Sequence, residues 1–285
     1  MGGGEGDRGP RLSGLTAGGC HATGTFAWTA CRSQEEGRGT TTTAGIGSDH
    51  VDLDAAIEHG VTVAEVTYCN SISVAEHVVM SILNLVRNFV PAHQIVLDGG
   101  WNIADAVARS HDVEGMHVGT VAAGRIGLAV LKRLAPFDMR LHYTDRHRLP
   151  ESVERELNLT FHESTADMVP HCDVMTINAP LHPETEGLFG DDLIATMKPG
   201  AYLINTARAR IADRDAVVRA LESGRLVGYA GDVWSPQPAP SDHPWGTMPH
   251  QGMTPHISGS SLSAQARYTA GKLAGTGAHS YSTNS

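Results

Sequence analysis

Residues 71–90, SISVAEHVVMSILNLVRNFV, place Ile72, Ala75, Val78, Val79, Ile82 and Val86 three and four positions apart, the spacing of one face of a helix. Ser73 and Glu76 have the separation of a capping box. Val74, Leu83 and Leu85 carry the apolar surface further round the cylinder, which fits either a core helix or a subunit interface. Beyond it, runs at 117–122, 140–144, 174–178, 201–206 and 228–233 read as strands, with helices at 126–134 and 213–223. Strands alternating with helices predict an α/β fold, a doubly wound parallel sheet. Crossover connections then bring Gly124, Asp145, Pro180, Arg208 and Asp232 to its carboxyl edge, where such sheets bind ligands.

The first 43 residues differ in kind. Gly2-Gly3-Gly4, Gly18-Gly19 and Thr40-Thr41-Thr42-Thr43 show no sustained period, so residues 1–43 are expected to be poorly ordered, with one short strand candidate at Thr25–Ala30. A chain of 285 residues suits two modest domains. Its formal charge of -10 argues against nucleic acid or an anionic membrane as partner. Cys20, Cys31, Cys69 and Cys172 lack any C-x-x-C spacing, which favours a reducing cytoplasm. No run is long and apolar enough for a membrane span, the start has no secretion-signal pattern, and Gly6 stands where a myristoylation signal wants Ser or Thr.

The clearest chemical motif is Ala122-Ala123-Gly124-Arg125-Ile126-Gly127, which follows a strand and opens a helix. Gly124 lets the backbone approach a pyrophosphate, Gly127 lets helix and strand pack closely, and the helix start supplies amide donors and a positive dipole end. Asp145, at the end of the next strand, suits the ribose hydroxyls of NAD and repels the 2′-phosphate of NADP, although Arg146 beside it softens that exclusion. His142, His147, His162 and His171 lack metal-ligand spacing, so no metal is expected.

From about Ala44 to Tyr268 the chain resembles the bacterial NAD-dependent formate dehydrogenases, within the D-specific 2-hydroxyacid dehydrogenase family. AGIGSDHVDL at 44–53, EVTYCNSISVAEHVVM at 65–80, GGWNIAD at 99–105, VEGMHVGTVAAGRIG at 113–127, HYTDRHRLP at 142–150, PLHPETE at 180–186, then GYAGDVW, PQPAP and MTPHISG carry the likeness. The resemblance implies a Rossmann NAD domain over 71–257 with a dimerisation helix. It also implies a flavodoxin-like substrate domain reduced to 44–70 and 258–285. Residues 1–43 match none of that domain, which in the family includes a Pro-Phe pair walling the substrate pocket, and the chain after Ala270 jumps to a segment from nearer the family's C-terminus, as an internal deletion would leave it.

The same resemblance assigns a site. Arg208 anchors formate through a guanidinium fork suited to carboxylates, Asn70 donates its amide, and the backbone N–H of Ile46 serves the other oxygen. His256 contacts the second oxygen and Gln237 orients its ring; Asp232 accepts from the nicotinamide carboxamide. Ser258 and Gly259 line the pocket, and Pro180, His182, Thr185 and Thr206 line the cofactor cleft. Cys69, beside Asn70, is implied to be oxidation-sensitive. A carboxylate partner would suit His256 to acid/base work on a hydroxyl, whereas the Gln237 amide leaves hydride transfer without a coupled proton. Formate fits, because its product CO2 has no hydroxyl to deprotonate. The expected protein is a cytoplasmic homodimer using NAD, with a non-catalytic NAD-binding remnant and a D-2-hydroxyacid dehydrogenase as the alternatives.

Overall fold

The computed structural model describes residues 40–43, 53–59, 62–66, 68–274 and 278–280. The chain runs β1 (Thr40–Thr43), α1 (Leu53–Glu58) and β2 (Thr62–Val66), then the helices α2 (Ser71–Val86), α3 (Phe89–Leu97) and α4 (Ile103–Val107). Strands and helices next alternate as β3 (His117–Val121), α5 (Arg125–Leu134), β4 (Arg140–Thr144), α6 (Glu151–Leu157), β5 (Leu159–Phe161), α7 (Thr165–Met168) and β6 (Val174–Ile177). They continue as α8 (Asp191–Thr196), β7 (Ala201–Asn205), α9 (Arg214–Glu222), β8 (Leu226–Gly231), α10 (Pro244–Thr247) and β9 (Gln251–Met253), before α11 (Leu262–Ala274) and β10 (Ala278–Ser280).

Strands β3 to β9 form one parallel sheet in the order β5-β4-β3-β6-β7-β8-β9. The order reverses between β3 and β6, and loops that diverge there open a crevice at the carboxyl edge. Helices cover both faces, so β6 and β7 are buried at every position, as their unbroken apolar runs require. On one face α2 and α5 seal Val118, Leu141, Tyr143 and Ile204; on the other Met175, Ile177, Leu203 and Tyr229 pack with the helices that follow β5, β6 and β7. In α5 the buried residues Gly127, Val130, Leu131 and Leu134 recur at three and four positions. Asp213 caps α9 by accepting from the backbone N–H of Asp215 at 3.1 Å and of Ala216 at 2.7 Å.

The strand and helix expectations between 117 and 233 match within two residues at their ends. The helix expected over 71–90 instead stops at Val86, because Asn88 takes a left-handed conformation (φ 53°) and donates through Nδ2 to the Ala106 carbonyl at 3.2 Å, turning the chain into α3. The capping box is also absent: Asn70 precedes the first turn, Ser73 Oγ lies 2.8 Å from Ser261 Oγ, and Glu76 accepts from Arg133 at 3.2 Å. Tertiary contacts override local capping there. Ile72 is exposed, unlike Ala75, Val78, Ile82 and Val86.

A second sheet, in the order β1-β2-β10, pairs β1 with β2 in parallel and β10 with β2 antiparallel. The threonine run at 40–43, expected to lack order, is therefore a strand, as four β-branched residues favour. The strand candidate at Thr25–Ala30 lies outside the described residues. No helix among the described residues is long and apolar enough to cross a membrane.

Four histidines that are scattered in sequence form a row beside β4. His117 Nδ1 and His142 Nε2 are 2.8 Å apart, His142 Nδ1 and His162 Nε2 are 2.9 Å apart, and His162 stacks on His171 at 5.5 Å. No group of three or more ligating side chains among the described residues has the arrangement of a metal site. Burial, then repulsion from His117, His162, His171 and Lys198, lowers the pKa of His142 to about 4; burial also lowers His117 and His162. A pKa below the unfolded value of about 6.5 means that the unfolded chain takes up protons first, so stability is lost as pH falls from about 6.5 towards 4. The thermal unfolding midpoint is expected to drop between pH 7 and pH 4.5, and His142→Phe to make that slope shallower; equal slopes in calorimetric scans would rule out the histidine row as its source.

Candidate active site

The turn from β3 into α5 is closed by contacts that use nearly every one of its residues. Ala122 has φ 70°, a left-handed conformation that costs an alanine roughly 1–2 kcal/mol. Its carbonyl accepts from Thr120 Oγ1 at 3.0 Å and sits where a side chain at Gly127 would be: a Cβ there would lie 2.1 Å from that oxygen. Gly124 precedes the helix with open space around the position a Cβ would occupy, on the side a phosphate would approach. Asp145 Oδ2 accepts from the Ala123 N–H at 2.7 Å and Oδ1 from the His147 N–H at 3.0 Å, so this carboxylate clamps the turn from β4. Arg125 stacks its guanidinium 3.0 Å above the Tyr68 ring, Ile126 is half-buried and Arg146 is exposed.

Past β6, Thr185 Oγ1 donates to the Pro180 carbonyl at 2.8 Å and accepts from the His182 N–H at 2.9 Å, holding a loop whose Pro180 and His182 are exposed. At the end of β7, the wholly buried Asn205 accepts from the Ala207 N–H at 3.1 Å and donates to the Arg208 carbonyl at 3.0 Å. Arg208 is half-buried and its Nη1 donates to the Ala207 carbonyl at 2.9 Å.

Asp232, at the end of β8, is wholly buried, and its N–H donates to the Asn205 carbonyl at 3.1 Å. Its Oδ1 accepts from Thr254 Oγ1 at 2.5 Å and the Ile257 N–H at 2.8 Å, its Oδ2 from the Ser258 N–H at 2.6 Å. These bonds fold residues 254–258 over the sheet edge and present the exposed His256, whose Nδ1 is 2.9 Å from Gln237 Oε1. Gly259 then passes so close to Asn70 that a Cβ would lie 2.7 Å from Asn70 Nδ2. The structure thus joins Asn70, Gly259, Ser258, Asp232, His256 and Gln237 in one contact chain, continued to Arg208 through Asn205. Ile46 lies outside the described residues.

Three enclosed polar atoms at this edge have no protein partner: Asn70 Oδ1, Asn178 Oδ1 after β6, and Thr206 Oγ1 after β7. Enclosed polar groups need hydrogen bonds, and with the open space at Gly124 they form a cradle that fits a dinucleotide. Asn178, Asn205, Thr254 and His77 escaped the sequence reading. The available signal was an asparagine ending each of two apolar strand runs, a polar group that burial obliges to find partners. Burial pushes the Cys69 thiol up, with its backbone hydrogen bond and Arg267 opposing that shift.

This is the crevice of a dinucleotide-binding α/β domain, set at a topological switch point. Residues 79–258 match the family described as D-isomer specific 2-hydroxyacid dehydrogenase, NAD binding domain. The chain belongs to that family. It is 66% identical over 264 residues to a formate dehydrogenase of Pseudomonas sp. (strain 101), covering 84% of this chain and 66% of that protein. The solved formate dehydrogenase of Granulicella M. superposes with a TM-score of 0.79 at 66% identity, over 82% of this chain and 62% of the other. The NAD-dependent formate dehydrogenase of Staphylococcus aureus, in complex with NAD, gives 0.74 at 46% identity, over 82% and 69%. The chain therefore spans about two-thirds of the length of these relatives.

The turn geometry makes opposite forecasts for two neighbours. Ala122→Gly is expected to stabilise the protein by up to about 1 kcal/mol, strain relief exceeding the added unfolded-state entropy, and Gly127→Ala to destabilise it by more than about 2 kcal/mol. Urea unfolding of both variants checks this; a destabilised Ala122→Gly would refute the strained turn.

Proposed function

We propose that this chain is an NAD-dependent formate dehydrogenase, oxidising formate to CO2 by direct hydride transfer. The observation that carries this reading is the His256 ring held at 2.9 Å by the amide of Gln237. An amide presents a donor or an acceptor by a half-turn. It fixes the ring without the negative charge that would suit His256 to taking a proton from a hydroxyl. The same feature counts against a D-2-hydroxyacid dehydrogenase.

NAD, when bound, supplies the ring carbon that accepts the hydride. The chain's residues would hold and align the reactants: Gly124, Arg125, Ile126 and Gly127 would receive the pyrophosphate at the α5 start, and Asp145 with Arg146 would accept the ribose. Thr206 Oγ1 and the loop of Pro180, His182 and Thr185 line the cofactor cleft. Ser258 and Gly259 would close it beside the nicotinamide, and Asp232 would accept from the carboxamide. Arg208 would grip the formate carboxylate as a fork, Asn70 would donate its side-chain amide to it, and His256 would meet the second oxygen. In the formate the C–H bond breaks, its electron pair leaves with the hydrogen, and no proton moves. On this reading residues 71–257 make up the NAD domain, and 44–70 with 258–285 belong to the substrate domain.

A homodimer is supported by the apolar arm after α2: Phe89, Val90, Leu97, Ile103 and Val107 are all at least 55% exposed and Trp101 is 82% exposed, a patch of the kind that marks association. Sedimentation is expected to give twice the chain mass, and Trp101→Glu with Leu97→Glu to give the monomer; a monomeric parent would exclude this arm as an interface. The sparse cysteines favour the cytoplasm.

The deciding test is NADH formation followed at 340 nm with saturating NAD and high formate. Formate-dependent absorbance is expected, and Arg208→Ala is expected to lower kcat/KM for formate about 100-fold, roughly 3 kcal/mol, while sparing NAD affinity. NAD binding without turnover would identify a non-catalytic remnant; turnover of glyoxylate or pyruvate alone would identify a 2-hydroxyacid dehydrogenase.

A further inference from the structure

We infer that His77, on α2, is a positioning residue that holds His256 in its working conformation; the inference rests on the reading of His256 as a substrate contact. His77 follows Asn70 by seven positions, two turns along one stripe of the helix, so α2 approaches the site twice.

The hydrogen-bond directions are determined by the chemistry of the groups. Thr254 Oγ1 is 2.5 Å from Asp232 Oδ1, and a carboxylate only accepts, so the hydroxyl donates there. The hydroxyl oxygen keeps a lone pair, and His77 Nε2 lies 3.2 Å from it. His77 therefore donates through Nε2–H. Burial lowers its pKa, with partial opposition from the Asp232 charge, so the ring is neutral with its remaining lone pair on Nδ1.

The chain His77 to Thr254 to Asp232 ends on two backbone groups that follow His256 directly, the N–H of Ile257 at 2.8 Å and of Ser258 at 2.6 Å. His256 itself sits at φ 58°, a left-handed conformation less common than the right-handed one, so the contacts around it help hold it there. Asp232 supplies that restraint, and His77 fixes how Asp232 is used. Thr254 has a competing acceptor in the Gly231 carbonyl at 3.4 Å. With the lone pair of Thr254 engaged by His77, the hydroxyl hydrogen stays aimed at the carboxylate; without it, the hydroxyl is free to turn to Gly231 and the loop loses one of its three ties to Asp232.

The test compares His77→Leu, which removes the donor, with His77→Gln, whose amide reaches the same hydroxyl. Formate-dependent NADH formation gives kcat and KM, calorimetry gives NAD affinity, and the ring C2–H resonance of His256, assigned by its loss in His256→Gln, reports the ring's surroundings. The Leu variant is expected to lower kcat/KM for formate at least about 10-fold and shift or broaden the His256 resonance, with NAD affinity held within about twofold. The Gln variant is expected to restore both readouts. An unmoved His256 resonance in the Leu variant overturns the inference whatever turnover does, as do Leu and Gln variants equally impaired and equally destabilised. If the parent chain oxidises no formate but the resonance behaves as expected, the functional reading fails and the positioning role stands.

Discussion

A carboxylate sealed from water has to be compensated by protein donors, and Asp232 shows how far that single requirement reaches. Its charge cannot be left unpaired in the interior without a large penalty. The donors it finds are two backbone amides and one hydroxyl, all in the short stretch after β9. That stretch is consequently not an independent loop; it is folded onto the edge of β8 by the charge beneath it. Its backbone N–H in turn ties it to Asn205, which controls the path of the Arg208 segment. The two side chains assigned to opposite ends of a small carboxylate are thus set by one buried network spanning β7 and β8.

Backbone strain in this protein is unevenly distributed. Asn88, Asp138 and Asn158 adopt positive φ at element ends, where their short polar side chains tolerate it. Tyr68 and Ala122 do so without such a side chain, and both border the crevice; His250 and His256 share the conformation, which histidine adopts more readily than most residues. Tyr68 is overlain by Arg125, Ala122 is pinned between Thr120 and Gly127, and His256 is held by Asp232 and Gln237. Strained positions persist where surrounding contacts over-determine them, and here those contacts come from the residues assigned to cofactor and substrate.

What could be read from the residues alone follows the range of the interactions involved. The strands over 117–233 were legible because a sheet covered on both faces demands unbroken apolar runs, and the Ala122–Gly127 turn because close backbone approach demands glycine. The end of α2 was not, since Asn88 stops it through a side-chain bond to Ala106 that no local pattern records. Ser73 failed as a cap for the same reason: its partner, Ser261, lies far along the chain. Arg208, Gln237 and His256 stand in recognisable motifs, whereas His77 and Asn205, whose partners are other protein groups, stand in none. The histidine row is the extreme case, four rings with no sequence spacing in common, brought together from β3, β4, the residue after β5 and the turn after α7.

The small sheet has a consequence for how the protein is made. β1 and β2 lie about twenty residues apart and can pair soon after both leave the ribosome, but β10 reaches β2 only after roughly two hundred further residues have been added. Throughout that interval one edge of β2 stands open while the large parallel sheet is assembling, with its own slow, non-local pairings. An open edge is a template for pairing with another nascent chain. Until β10 pairs with β2, that edge of β2 is open to another nascent chain; afterwards the sheet's edges are β1 and β10.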